Sequence, residues 1–295
     1  MSNRELNIRG IYTALVTPFS KDGSQVDYES LGKLLEIQRA AGVSGVVVCG
    51  STGEAATLTD TEYRDVVKFV RERTKGHLPC VSGISVSATA KAVELAKFAQ
   101  EVGCDGILVA TPPYNKPSQA GLIEHFRAIY KATSMPLIAY NIPGRSGVAI
   151  AAATLGQLSR EGIICGIKES SGSVDALADM MACISEDCQL VSGDDSLTLA
   201  ALAYGGVGAI SGPANALPRE MSTLVRCWDS GDMQGARKAQ MQILPKIRAL
   251  FVESNPVPVK TVLALRGEIA HATVRLPLTP LSSSSLERVK VEFGL

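Results

Sequence analysis

Aromatic side chains are scarce in this chain: Phe, Tyr and Trp together make 5% of 295 residues, with a single Trp. That shortage argues against a ring-rich sandwich, while 27 glycines suit many tight turns and close contacts between helices and strands. Net charge is missing too, with 29 Lys and Arg against 29 Asp and Glu. No field of one sign is available to hold nucleic acid or an anionic membrane, although single arginines can still take an anion locally. Only three histidines occur, His77, His125 and His271, and none falls at a strand end of the kind described below. A metal site would lack its usual ligands, and no P-loop pattern is present. The seven cysteines form no C-x-x-C pair, several lie in apolar runs, and their odd number reads as free thiols in a reducing compartment. No apolar run is long enough to span a bilayer. The opening Met1-Ser2-Asn3-Arg4-Glu5 lacks the apolar stretch of a signal peptide. The expectation is a cytoplasmic protein working without metal or cofactor, with no membrane or nucleic-acid partner.

What is present is alternation. At 46% hydrophobic the chain can bury one large core plus an appendage. Ala41-Gly42-Val43-Ser44-Gly45 precedes Val46-Val47-Val48, and Val102-Gly103-Cys104-Asp105-Gly106 precedes Ile107-Leu108-Val109. Gly205-Gly206-Val207-Gly208 leads into Ala209-Ile210 in the same way. Each is a helix end, a glycine-assisted turn and a buried strand. Between them, Tyr63, Val66, Val67 and Val70, then Ala92, Leu95, Ala96 and Ala99, keep helical spacing. Eight strands are predicted near 11–16, 45–49, 79–83, 106–110, 136–140, 163–168, 189–193 and 207–211, each followed by a helix pattern. Such a series predicts an α/β fold, a parallel (β/α)8 TIM barrel over residues 1–230. An open doubly wound sheet is disfavoured because no G-x-G-x-x-G follows the first strand. From 231 to 295 the alternation stops, and helices over 233–251 and 257–266, with a last one after Ser282–Ser285, predict a C-terminal helical subdomain.

The sixth strand ends in an amine. Ile163-Ile164-Cys165-Gly166-Ile167-Lys168 is an apolar run, and lysine is almost never fully buried unless it is paired or used. Burial disfavours the charged form, and a neutral amine condenses with a carbonyl to give a Schiff base. A structural lysine neutralised by a carboxylate is the equal alternative on this residue alone. Strand alternation places Gly166 directly beneath Lys168, where it would leave room for the lysine stem.

Active sites of such barrels lie at the C-terminal strand ends. Those ends carry Thr17, Gly50-Ser51-Thr52-Gly53-Glu54, Thr111-Pro112-Pro113-Tyr114-Asn115, Tyr140-Asn141-Ile142-Pro143-Gly144-Arg145, Lys168, Gly193-Asp194-Asp195 and Ser211-Gly212. Tyr140 sits on the strand next to Lys168, and its phenol can shuttle protons through the hydroxyls of Ser51 and Thr52. Taken singly, each has a plainer reading. The Gly-Ser-Thr-Gly run is also a turn with a helix cap, Tyr140 a core residue, Arg145 a solvated turn residue, and Asp194-Asp195 a cap. Their convergence on one face favours a site.

Gly-Ser-Thr-Gly-Glu at 50–54, Tyr-Asn-Ile-Pro-Gly-Arg at 140–145 and Gly-Ile-Lys-Glu-Ser at 166–170 resemble the dihydrodipicolinate synthase and N-acetylneuraminate lyase superfamily. So do Thr-Pro-Pro-Tyr-Asn-Lys-Pro-Ser-Gln at 111–119 and Phe-Val-Glu-Ser-Asn-Pro-Val-Pro-Val-Lys at 251–260, and the resemblance spans nearly the whole chain. It implies Schiff-base chemistry on pyruvate, with Lys168 as nucleophile and Tyr140 as proton shuttle. Thr52 and Ser51 would bind the pyruvate carboxylate and relay protons. Tyr114 would reach into the neighbouring subunit's site within a homotetramer built as a dimer of dimers. Gly193 and Ile210 are implied substrate contacts. An arginine at the place of Arg145 is the mark of the synthases, where it grips the carboxylate of aspartate semialdehyde through two parallel hydrogen bonds.

Two departures matter. Ser51 stands where these synthases usually have threonine; the hydroxyl is kept, but Gly-Ser-Thr-Gly-Glu also occurs in lyases, so a neuraminate lyase or 2-keto-3-deoxy sugar acid aldolase is the alternative. Lysine-inhibited members often carry Tyr-Tyr at Pro113-Tyr114, Asn at Ser87 and Glu at Lys91. A cation at Lys91 in place of an acid predicts weak or absent feedback by lysine.

Overall fold

The computed structural model describes residues 6–295, so Met1–Glu5 lie outside the described residues. Eight parallel strands close into a barrel: β1 (Gly10–Ala14), β2 (Gly45–Val48), β3 (Cys80–Ile84), β4 (Gly106–Ala110), β5 (Leu137–Asn141), β6 (Gly166–Glu169), β7 (Gln189–Ser192) and β8 (Gly208–Ser211). The ring closes where β1 meets β8, with Ile11 opposite Ala209 and Tyr12 opposite Ile210. Helices stand between the strands, as in (β/α)8 barrels.

Alternation along each strand sorts the side chains into two cores. Tyr12, Ala14, Val47, Leu108, Ile138 and Ile210 fill the interior. Their neighbours Val46, Val48, Ile107, Leu137, Ala139 and Ile167 pack outward beneath the helices, against residues such as Val66, Val67, Leu95 and Ala99. Those four come from the two periodic stretches read in the sequence. Helix Asp60–Thr74 begins with a full capping box: Thr59 Oγ1 accepts the Glu62 N–H at 3.2 Å, and Glu62 Oε2 accepts the Thr59 N–H at 2.9 Å.

Strand β6 starts later than predicted. The Ile163 N–H still bonds the Leu158 carbonyl at the exit of the preceding helix, and pairing begins only with Cys165 N–H to Leu137 O at 2.9 Å. Apolar character continues across that exit, so hydrophobicity alone cannot mark where the helix stops.

After the helix Pro218–Asp229 come the helices Met233–Ala249, Val257–Leu265 and Ser283–Phe293. They share a core with the barrel's outer face, where Ile243, Ile247, Leu250, Val259 and Val262 pack with Ile11, Val16 and Leu34. The first of them packs on the helix Pro218–Asp229, which itself lies against β1. None of the helices among the described residues is long and apolar enough to cross a membrane.

Candidate active site

Tyr140 and Lys168 are direct partners in the β5–β6 register. Both point into the barrel, and the Lys168 Nζ lies 4.2 Å from the centre of the Tyr140 ring. Lys168 is 6% exposed, and among the described residues no carboxylate comes within ion-pairing distance of it. The fully buried lysine that does have a carboxylate partner is Lys260, paired with Glu54.

Outward-facing neighbours lock these two strand ends. Asn141 Nδ2 donates to Glu169 Oε2 at 2.7 Å, Asn141 Oδ1 accepts the Ile150 N–H at 2.9 Å, and Glu169 Oε1 accepts the Ser171 N–H at 2.6 Å. The Tyr-Asn and Lys-Glu pairs of the sequence thus divide their work. The first member of each faces the cavity, and the second ties β5 to β6.

Gly166 does not make room for the lysine stem. A Cβ there would meet Ile8 Cδ1 at 2.6 Å, so the space beneath Lys168 belongs to the segment before β1. The glycine that accommodates the lysine is Gly193, after β7, where a Cβ would stand 2.7 Å from Lys168 Cε and 2.9 Å from its Cγ.

Around the amine opens a cavity of about 360 Å³, with Ala14, Val47 and Leu108 among its apolar lining and Ser51, Thr52, Arg145, Gly193 and Asn255 among its polar lining. Thr52 Oγ1 accepts from Asn255 Nδ2 at 2.8 Å, which leaves the Thr52 hydroxyl proton free to donate. Arg145 Nη2 donates to the Asn255 carbonyl at 3.1 Å, and no carboxylate among the described residues pairs with it. Asn255 therefore joins the two polar walls. It sits within the Phe251–Lys260 stretch noticed in the sequence, yet nothing local marks it as a site residue, because its partners are on β2 and β5 loops.

The predicted residues do not all gather here. Ile210 is fully buried in the barrel interior and does not line the cavity; it pairs with Tyr12, one inward layer below Ala14. Tyr114 is 91% exposed with φ at +72° and lies away from its own chain's cavity. A second hollow of about 300 Å³, sharing Ser51, Ile142, Arg145 and Asn255 with the first, is lined by Thr111 and Pro113. Asp194 does cap the short turn after β7, accepting the Ser196 N–H at 3.1 Å, but Asp195 does not: it is 1% exposed, and no backbone N–H among the described residues donates to its carboxyl. Lys91 holds Asp60 and Glu94 in ion pairs, and Ser87 Oγ donates to Pro113 O at 3.1 Å. Among the described residues no group of three or more His, Cys, Asp or Glu is arranged to hold a metal ion.

The Dihydrodipicolinate synthetase family model matches residues 7–293. The chain belongs to that family. It is 42% identical over 286 residues to the 4-hydroxy-tetrahydrodipicolinate synthase of Nitratidesulfovibrio vulgaris (strain DP4), covering 97% of each chain. It is 41% identical over 290 residues to the enzyme of that name from Endomicrobium trichonymphae, covering 97% of this chain and 98% of that one. Among solved structures, the 4-hydroxy-tetrahydrodipicolinate synthase of Methylacidiphilum fumariolicum SolV superposes with a TM-score of 0.95 at 40% identity, over 98% of this chain and 95% of that one. The closed barrel and the added helices are therefore the architecture of this family, and the synthases, rather than the sugar-acid lyases, are the relatives just described.

Proposed function

We propose that this member of the family is a Schiff-base synthase that joins pyruvate to L-aspartate 4-semialdehyde, giving 4-hydroxy-tetrahydrodipicolinate on the route to lysine and diaminopimelate. The observation that carries this reading is the buried Lys168 amine, paired with no carboxylate among the described residues and seated over Tyr140 in a cavity whose lining includes Arg145. The amine adds to the ketone carbon of pyruvate, and the carbinolamine loses water to leave an iminium. Loss of a methyl proton from that iminium gives an enamine, whose carbon attacks the aldehyde carbon of the second substrate. Tyr140 moves the protons. The Thr52 and Ser51 hydroxyls receive the pyruvate carboxylate, and Gly193 leaves the lysine stem its path.

Arg145 is the reason for preferring this acceptor. Among the described residues its guanidinium meets only a neutral carbonyl, so its charge is left for a ligand carboxylate. The exposure and left-handed backbone of Tyr114 suit a side chain that works outside its own subunit, in a homotetramer arranged as a dimer of dimers.

Borohydride reduction in the presence of pyruvate tests the first half: an adduct should map to Lys168, and an unmodified Lys168 sinks the reading. Coupled assays with aspartate semialdehyde, N-acetylneuraminate and 2-keto-3-deoxy sugar acids test the second half. Arg145→Ala should raise KM for the semialdehyde by about 10- to 100-fold, the worth of a charge-assisted hydrogen bond pair, while pyruvate trapping persists.

A further inference from the structure

Asn255 takes no part in the chemistry proposed above, yet it lines both hollows at the barrel mouth. It lies between the helices Met233–Ala249 and Val257–Leu265, outside the eight βα units. Contacts on either side hold it there. Glu253 Oε1 accepts the Ser282 N–H at 3.0 Å and the Ser282 hydroxyl at 2.8 Å, and Lys260 Nζ donates to Glu54 Oε1 at 2.7 Å. Glu54 comes two residues after Thr52, so the tail is fastened to the loop after β2 both through Asn255 and through Lys260. The end of β8 closes the third side: a Cβ on Gly212 would stand 3.3 Å from Thr52 Oγ1 and 3.5 Å from Asn255 Oδ1.

The backbone and the side chain of Asn255 serve different partners. Its carbonyl accepts from Arg145 Nη2 at 3.1 Å, whereas its Nδ2 donates to Thr52 Oγ1 at 2.8 Å. A threonine hydroxyl carries one proton, and an oxygen that already accepts from an amide is left to act as a donor. Thr52 is 5% exposed and lines the cavity, and no oxygen among the described residues takes that proton. A ligand acceptor can take it, and a carboxylate gains most because its charge strengthens the bond. Replacing the Asn255 side chain leaves the carbonyl in the chain. The contact with Thr52 can therefore be removed while the contact with Arg145 stays.

We infer that Asn255 is a positioning residue whose amide N–H fixes the Thr52 hydroxyl as a donor to the pyruvate carboxylate. A residue of the tail thereby governs how well the keto acid is held at the end of β2. The inference rests on the Schiff-base reading above and deepens it. Turned the other way, the Asn255 amide would offer its oxygen to Thr52 and take the hydroxyl proton. The hydroxyl would then present only lone pairs to an incoming carboxylate, which repel it. The orientation in which Nδ2 meets Oγ1 is the one that suits an anion.

Steady-state assays that vary pyruvate and the semialdehyde separately test this. Asn255→Ala should raise KM for pyruvate by about 3- to 10-fold, the worth of one hydrogen bond, and leave KM for the semialdehyde unchanged. Asn255→Asp keeps the shape of the side chain but sets an acceptor where the donor stood and a negative charge beside the incoming carboxylate. It should raise KM for pyruvate further, by about 10- to 100-fold. A tail that was merely loosened would raise both KM values together and would rank the variants by shape, alanine worse than aspartate. Wild-type KM for pyruvate in Asn255→Asp overturns the inference, as do equal rises for both substrates in Asn255→Ala. Should the aspartate variant not fold, Thr52→Ala carries the test. Once the hydroxyl is gone, adding Asn255→Ala should not raise KM for pyruvate further, and full additivity overturns the inference. Failure of the wild-type protein to form a borohydride-trapped adduct with pyruvate rejects the Schiff-base reading itself. Wild-type affinity for pyruvate in an Asn255→Ala protein that still forms the adduct rejects only the role given to Asn255.

Discussion

Lys168 and Lys260 are both shut away from solvent, and their surroundings differ in the partner each amine meets. Lys260 donates to Glu54 Oε1 at 2.7 Å and lies 4.1 Å from the centre of the Phe19 ring. Burial still pushes its amine down to about 8 against the pull of Glu54. Lys168 has a phenol ring beneath it and, among the described residues, no carboxylate in ion-pairing distance. Burial alone, the property that first draws attention to a lysine, does not separate a structural amine from a reactive one; the partner does. At this scale Tyr140→Phe removes only a hydroxyl, from a residue whose ring packs in the barrel interior. It should lower kcat by about 10²- to 10⁴-fold, the range for a lost proton shuttle, with the melting temperature nearly unchanged, as steady-state assays and thermal unfolding will show.

Loops after β2 and the C-terminal tail form one unit held by buried charge. Glu54 takes Lys260 on one oxygen and the Arg275 N–H on the other, at 3.0 Å, while the Arg275 guanidinium grips both oxygens of Glu62. Ser51 and Thr52 lie three and two residues before Glu54, so the turn proposed to bind the pyruvate carboxylate is anchored through the tail. Glu54→Gln leaves Lys260 buried with a weakened partner and should cost about 3–5 kcal/mol in denaturant unfolding, as broken buried pairs do, and Lys260→Met added to it should recover part of that loss. Arg275 also holds the Glu62 carboxyl down, at about 2, well below the ordinary value of about 4.3. A carboxyl depressed by folding stabilises above its unfolded pKa, and that contribution is lost as pH falls through the folded one. Stability of the wild-type protein should therefore fall more steeply between about pH 4.3 and pH 2 than that of Glu62→Gln, as urea unfolding across that window would register.

For the molecule as a whole, the exposed Tyr114 is the residue whose position makes least sense in a single chain. A tyrosine at 91% exposure on a left-handed backbone gains nothing from its own fold. If it completes a partner's site, Lys168→Ala and Tyr114→Ala proteins, each inactive alone, should complement when dissociated and reassembled together. Each mixed dimer then contains one intact site, and random mixing should restore about a quarter of wild-type activity. Activity that stays at the level of the separate variants would place Tyr114 outside the chemistry.

The barrel itself was readable in the chain, because strand alternation and the 3.6-residue helical period are local properties that survive without knowledge of distant partners. The amine ending an apolar strand and the hydroxyls and guanidinium at neighbouring strand ends were readable for the same reason, and barrel geometry converts a shared strand end into a shared cavity. Folding alone decided which glycine yields to the lysine, since Gly193 and Lys168 meet across β6 and β7 while Ile8 occupies the place beneath Gly166. It also decided that Asn255 would reach Thr52 across 203 residues and that Lys260 would find Glu54 across 206. Asp195 reads locally as a cap, and only closure of the barrel buries its carboxyl near Ser211 of β8. Periodicity reports what each segment buries; only the closed ring and the returning tail determine against what.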